Sequence, residues 1–397
     1  MSEKNLNFDK IIDRRNTKSL KFDFAVKRGK PADVLPLWVA DMDFQVSSYI
    51  QEALAKANEH GIFGYSDTLE DYNQVVKEWY KRRYDWKVES DWLIKTPGIV
   101  FALAMAVKAY TKENEAVLIQ PPVYYPFTEV IEDNNRKLVA NTLVEDENGK
   151  FQIDFEDFEN KIVENNVKLF LLCSPHNPIS RVWSKEELTK LADICLKHNV
   201  VIVSDEIHAD FAFARKHVAL ASIKEEYNDI VITCTSPSKS FNIAGLQISN
   251  IVIANDELRR KFNKQIAAAG YSQVGLPGII ACEAAYKYGD EWLDAVRSYI
   301  YANYEFTKEY LEEKLPEVKA LELEGTYLLF LDFRKYDLTD EQINDLIINK
   351  AKLWLDGGAI FGKVGEGFQR INLACPRATL TEALNRIANT FKDQPLH

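Results

Sequence analysis

Lys239 stands in the run Thr235-Ser236-Pro237-Ser238-Lys239-Ser240-Phe241-Asn242, directly after the apolar stretch Ile230-Val231-Ile232-Thr233-Cys234. A lysine at the end of a buried strand is stripped of water, loses its proton readily and becomes an amine nucleophile. The hydroxyls on either side suit an anion such as phosphate. An imine-forming amine beside a phosphate seat points to pyridoxal phosphate. That chemistry makes further demands, and the chain has residues to meet them. Asp205, in Asp205-Glu206-Ile207-His208, would keep a pyridine nitrogen protonated so that the ring draws electrons from a carbanion. Asn177, in Ser174-Pro175-His176-Asn177-Pro178, would donate to the ring hydroxyl oxygen. Tyr124, in Pro121-Pro122-Val123-Tyr124-Tyr125-Pro126, would stack on the ring face. Thr96-Pro97-Gly98-Ile99-Val100 opens a helical pattern whose first amides form a phosphate seat. Arg370, in Gly367-Phe368-Gln369-Arg370, is the candidate to grip a substrate carboxylate with two parallel bonds. Taken singly each is ordinary: a solvated loop lysine, a capping aspartate, an Asn-Pro turn, a packed histidine. Their joint order carries the reading.

The elements that must position them follow from hydrophobic patterning. Strands are expected at Ala116–Gln120, Lys137–Asn141, Lys168–Cys173, Val200–Ser204, Ile230–Cys234 and Asn250–Ala254. Between the third and fourth, Ser184 and Glu187 form a capping box ahead of Leu188, Leu191, Ala192, Cys195 and Leu196 at helical spacing. Strands alternating with helices predict an α/β fold with a mostly parallel sheet covered by helices. Ligands in such sheets bind beyond the carboxyl ends of the strands, where Tyr124, Asn177, Asp205 and Lys239 all fall. From about Gly289 the pattern changes to a long helical stretch through Trp292, Val296, Ile300 and Leu311, then a strand-like run at 325–332. The expectation is a large domain over 46–288. A smaller α+β domain is expected from 289–397, with the N-terminal segment 1–45 packed on it.

Bulk properties exclude several classes. The 397 residues are 46% hydrophobic and 12% aromatic, with a net charge of -11. This is a globular composition, and the acidic balance argues against nucleic acid and against anionic membrane surfaces. Met1–Asp9 is polar, and no apolar run approaches the ~20 residues of a membrane span, so a cytoplasmic location is expected. The five cysteines are odd in number with no CxxC pair, which reads as reduced thiols and no structural zinc; Cys173 and Cys234 sit in apolar runs. Two decoys fail. Asp205-Glu206-Ile207-His208 is similar to a helicase acidic motif. Gly357-Gly358-Ala359-Ile360-Phe361-Gly362-Lys363-Val364 is similar to a phosphate-binding loop, but Val364 stands where a magnesium-holding hydroxyl is required.

Asn177-Pro178, Asp205 and Ser236-Pro237-Ser238-Lys239 together resemble the signature of fold-type I pyridoxal-phosphate enzymes, the aspartate aminotransferase superfamily. Trp38-Val39-Ala40-Asp41-Met42-Asp43-Phe44, Gly64-Tyr65-Ser66, the run from Ser238 to Leu246 and Gly325-Thr326-Tyr327 resemble the MalY/PatB group of cystathionine β-lyases, or C–S lyases. The resemblance extends from about Phe8 to Arg377. It implies that Lys239 carries the cofactor and later moves the substrate Cα proton. Asp205 would pair with the pyridinium, with His208 nearby, Asn177 on the ring oxygen, and Tyr124 stacked as a third catalytic residue. Gly98, Ile99 and Val100 would hold phosphate with Ser236 and Ser238, and Arg370 the α-carboxylate. Tyr65 would reach the neighbouring subunit's site in a homodimer, serving cofactor and substrate there. Three positions depart from the pattern: Ser180 for glycine, Gln247 for arginine and Phe330 for tryptophan. The implied reaction is α,β-elimination on L-cystathionine, L-cysteine or related S-substituted cysteines. The alternatives are an aminotransferase of the same fold and a regulatory protein that binds a transcription factor.

Overall fold

Seven strands form the central sheet of the computed structural model, which describes residues 6–397. Residues 1–5 of the polar N-terminal stretch lie outside the described residues. In chain order the strands are β1 (Leu93–Thr96), β2 (Ala116–Ile119), β3 (Lys137–Ala140), β4 (Leu169–Cys173), β5 (Val201–Asp205), β6 (Val231–Thr235) and β7 (Ser249–Val252). Their order across the sheet is β1-β7-β6-β5-β4-β2-β3. Only β7 runs antiparallel to its neighbours; the other adjacent pairs are parallel. Strands β2, β4 and β6 are buried at every position, as a sheet covered on both faces requires.

The six expected strands are all present, with ends shifted by one or two residues. The shifts put Asp205 inside β5 as its last residue and Thr235 inside β6. Strand β1 was not expected. It is four residues long and half polar, and the Lys95 amine turns out to Asn73 Oδ1 at 2.6 Å. The expected capping box is formed: Ser184 Oγ accepts the Glu187 N–H at 3.1 Å, and the Glu187 carboxylate accepts the Ser184 N–H at 2.7 Å. The helix Lys185–Lys197 follows.

A second, four-stranded antiparallel sheet is built from β8 (Lys319–Ala320), β9 (Leu328–Asp332), β10 (Asp356–Gly357) and β11 (Phe368–Asn372), in the order β8-β9-β11-β10. The helix Asp290–Lys314 precedes it, where the long helical pattern was expected. Leu35–Pro36 pairs in parallel with Leu353–Trp354, which ties the N-terminal segment to this side of the molecule. Phe330 of β9 stacks on Phe368 at 4.6 Å between ring centres and fills its position as a buried aromatic. Among the described residues no helix is long and apolar enough to cross a membrane. All five cysteines are buried and unbridged.

Candidate active site

A cavity of about 420 Å³ opens at the carboxyl ends of β4, β5 and β6. Gly98, Ile99, Val100, Tyr124, Asn177, Asp205, His208, Ser236, Ser238, Lys239 and Arg370 all line it. Of the expected site residues Tyr65 alone is elsewhere. It is fully exposed on the segment between the helices Ser48–His60 and Glu70–Tyr84.

Lys239 rides on a single helical turn, Pro237–Ser240. Ser236 caps that turn by accepting the Ser238 N–H at 3.1 Å, and proline fits its first position. The Lys239 Nζ donates to the Ala40 carbonyl at 2.6 Å, and the Tyr327 hydroxyl donates to the same oxygen at 2.9 Å. Burial lowers the lysine to about 8, against the attraction of Asp41 and Asp205 and with the help of Arg370. Asp205 feels the opposite push. Burial raises its carboxyl to about 7, although the Ile207 N–H at 3.1 Å and the charge of Lys239 favour the anion. A cationic ring nitrogen against Asp205 would restore the carboxylate. Burial also holds His208 well below its ordinary range, with Lys239 and Arg370 acting in the same direction. Its imidazole is therefore neutral, and its Nδ1 is buried without a partner. Burial raises the phenol of Tyr124, so it remains protonated at neutral pH.

Arg370, from β11, spans the cavity to the large sheet. Nη1 donates to Asn177 Oδ1 at 2.9 Å, and Nη2 donates to the Trp38 carbonyl at 2.9 Å and pairs with Asp356. The Phe361 ring lies 4.8 Å from the guanidinium carbon, and Nε is buried without a partner. An unpartnered buried donor on a guanidinium is what an incoming carboxylate would satisfy.

The helix Ile99–Tyr110 turns its first amides toward the cavity, with Gly98 as cap. A Cβ on Gly98 would meet no atom within 4 Å, so the space at the helix N-terminus is open. The Ser236 hydroxyl donates to the Ile248 carbonyl at 2.7 Å. Ser236 and Ser238 both line the cavity beside that helix end. Gln247 also lines the cavity, and among the described residues Lys239 and Arg370 are the only lysine and arginine in its wall. A phosphate there would rest on amides and hydroxyls rather than on a guanidinium. A buried amine and a buried acid lining one cavity, an open amide-rich end and unsatisfied polar atoms on His208 and Arg370 together fit pyridoxal phosphate.

Several contributors were missed from the sequence. Asp356 belongs to a two-residue strand with no periodicity to betray it. The Trp38 and Ala40 carbonyls act through backbone, which carries no side-chain signature. Their loop is strapped down from both sides. Asn242 accepts the Met42 N–H at 2.9 Å and donates to the Met42 and Phe44 carbonyls at 2.9 and 3.0 Å. Asn372 donates to the Val39 and Asp41 carbonyls at 2.8 and 2.6 Å. Below the loop, Asp43 pairs with Arg14 at 2.7 Å and with the wholly buried Lys21 at 2.8 Å. The glycines of the phosphate-loop decoy serve packing instead: a Cβ on Gly358 would strike the Gly365 carbonyl.

Residues 32–387 match the family model described as aminotransferase class I and II. The chain belongs to that family. Within it, the chain is 42% identical to cystathionine β-lyase PatB of Bacillus subtilis over 383 residues, which is 96% of this chain and 99% of that one. Cystalysin from Treponema denticola, whose crystal structure contains pyridoxal 5'-phosphate, superposes with a TM-score of 0.94 at 40% identity, covering 98% and 99% of the two chains. A pyridoxal-phosphate-bound chain from Clostridium difficile, provisionally named an aminotransferase, gives 0.95 at 43% identity, covering 97% and 100%. Relatives within the aminotransferase class I and II family thus carry lyase and aminotransferase names.

Proposed function

We propose that this chain is a pyridoxal-phosphate-dependent carbon–sulfur lyase of the cystathionine β-lyase type. Its substrates would be L-cystathionine, L-cysteine or related S-substituted cysteines, each consumed with one water to give a thiol, pyruvate and ammonium. The near-full-length identity to PatB carries the choice of lyase.

When bound, the cofactor supplies an electron-withdrawing ring that stabilises negative charge at the substrate Cα. The roles of the chain's own residues follow from their surroundings. Arg370 holds the α-carboxylate, and its contact with Asn177 fixes the angle of approach. Lys239, with its affinity for protons lowered by burial, takes the proton from Cα and can return it as an acid. Asp205 keeps the proton on the ring nitrogen. Neutral His208 beside it adds no competing charge. Tyr124 would stack on the ring, and the amides of Gly98, Ile99 and Val100 with Ser236 and Ser238 would hold the phosphate. With the Cα proton gone, the thiolate leaves from the β-carbon. Tyr65 of a second copy completes the site, so a homodimer, a cytoplasmic location and the division into 46–288 and 1–45 with 289–397 belong to the same proposal.

The aminotransferase reading shares Lys239, Asp205 and Arg370, and the Clostridium difficile relative favours it. Incubation with L-cystathionine, with and without an added 2-oxo acid, separates the two. Pyruvate and free thiol without an acceptor support the lyase. Strict dependence on the oxo acid overturns it.

A further inference from the structure

Ser180 stands where the family resemblance leads one to expect glycine, and its surroundings explain the serine. Its φ of +59° lies in the left-handed region that favours glycine. Its side chain is wholly buried. The hydroxyl donates to the Leu328 carbonyl at 2.6 Å, and the Ser180 carbonyl accepts the Gly325 N–H at 2.8 Å. Just downstream, Glu324 accepts from Arg181 Nε at 3.1 Å and from the Val182 N–H at 2.9 Å. The two segments approach so closely that a Cβ on Gly325 would come within 2.6 Å of the Val182 side chain.

These contacts close a circuit. Asn177 lies three residues before Ser180, and Leu328 opens β9, in which Phe330 pairs with Arg370 of β11. Arg370 then returns to Asn177 through its 2.9 Å hydrogen bond. The Arg181–Glu324 pair also joins the two segments, but through long side chains that can follow a shift of the backbone. The backbone bond from Gly325 to the Ser180 carbonyl holds the main chain, and the hydroxyl adds the side-chain tether nearest Asn177, a direct link to the start of β9.

We propose that Ser180 is a positioning residue that sets the placement of Asn177 against Arg370, and through it the grip on the α-carboxylate of an amino-acid substrate. The inference rests on the reading that Arg370 binds that carboxylate. Serine here trades backbone comfort for a tether, which glycine cannot supply.

The test uses the holoenzyme and the variants Ser180→Gly and Ser180→Ala. Glycine accepts the backbone angle and lacks the tether; alanine keeps the strained angle and also lacks it. Three quantities are read: the Kd of L-alanine, which has an α-carboxylate but no leaving group, followed by cofactor absorbance; KM and kcat on L-cystathionine; and Tm. For Ser180→Gly the expected result is a rise in Kd and KM of about 3- to 10-fold, the effect of one hydrogen bond. Its kcat should stay within about twofold and its Tm near wild type. Ser180→Ala should show the same rise with a lower Tm. Unchanged Kd and KM in Ser180→Gly overturn the proposal, as does a lower Tm with substrate affinity intact, which is the mark of a serine that only holds the fold. If the wild-type protein binds L-alanine but releases no thiol, the lyase reading fails while the Kd comparison still decides the role of Ser180.

Discussion

The Lys239 amine and the Tyr327 phenol donate to one acceptor, the Ala40 carbonyl, at 2.6 and 2.9 Å. The three residues come from the turn after β6, the loop before β9 and the N-terminal segment. A neutral carbonyl is a suitable partner for an amine that must lose its charge to react, because it accepts a hydrogen bond without locking the ammonium form as a carboxylate would. Tyr327 holds that carbonyl whether or not the amine is present.

Replacing Lys239 with alanine should therefore spare the fold, since Tyr327 still satisfies Ala40. Elimination should fall by at least about 10³-fold with loss of the general base. Pyruvate release and the absorbance of bound cofactor are the measurements; normal turnover in Lys239→Ala sinks the assignment.

Asp205→Ala should lower kcat by several orders of magnitude, because the carboxylate that would hold a proton on the ring nitrogen is gone. A loss under about tenfold, ~1.4 kcal/mol, argues against that role.

The same carboxyl makes apoprotein stability depend on pH. Its folded value of about 7 lies above the ordinary 3.8, so the folded chain keeps a proton that the unfolded chain releases. That contribution is fully present below about pH 4 and is lost as pH rises through 7. Thermal melts of cofactor-free wild type and Asp205→Asn across that window should differ in slope, with the variant flatter. Parallel curves would show that Asp205 does not titrate there.

Arg370→Lys should raise KM with a smaller effect on kcat, since an ammonium cannot reproduce the planar fork that serves Asn177, Trp38 and a carboxylate together. An unchanged KM removes Arg370 from the substrate site.

Mixing separately inactive Lys239→Ala and Tyr65→Ala chains tests the shared site. If Tyr65 acts across a two-fold interface, each mixed dimer contains one site with both native residues, and random exchange restores about a quarter of wild-type sites. No recovery after verified subunit exchange would show that Tyr65 does not act across the interface.

The large sheet was legible because β2, β4 and β6 are unbroken apolar runs, and because a sheet of this kind delivers its ligand residues at predictable strand ends. Asp205, Asn177 and Lys239 could be placed by that rule alone. Strand β1 escaped because Lys95 and Thr96 break its apolar run. Asp356 escaped because its strand is two residues long and gains its place from β11 alone. The Ala40 carbonyl was invisible for a different reason: a backbone acceptor is specified by what holds the loop, here Asn242 and Asn372, and not by its own residue type.

The buried charges beneath that loop bear on where the polypeptide can be cut. Arg14 and Lys21 contact neither cofactor nor substrate in the proposed mechanism, yet together they neutralise Asp43. Proteolytic trimming past Lys21 would retain every ligand-touching side chain and strand a buried carboxylate, at about 3–5 kcal/mol for such an orphaned charge. The segment from Arg14 to Lys21 thus behaves as a keystone, whose removal would silence an active centre assembled elsewhere.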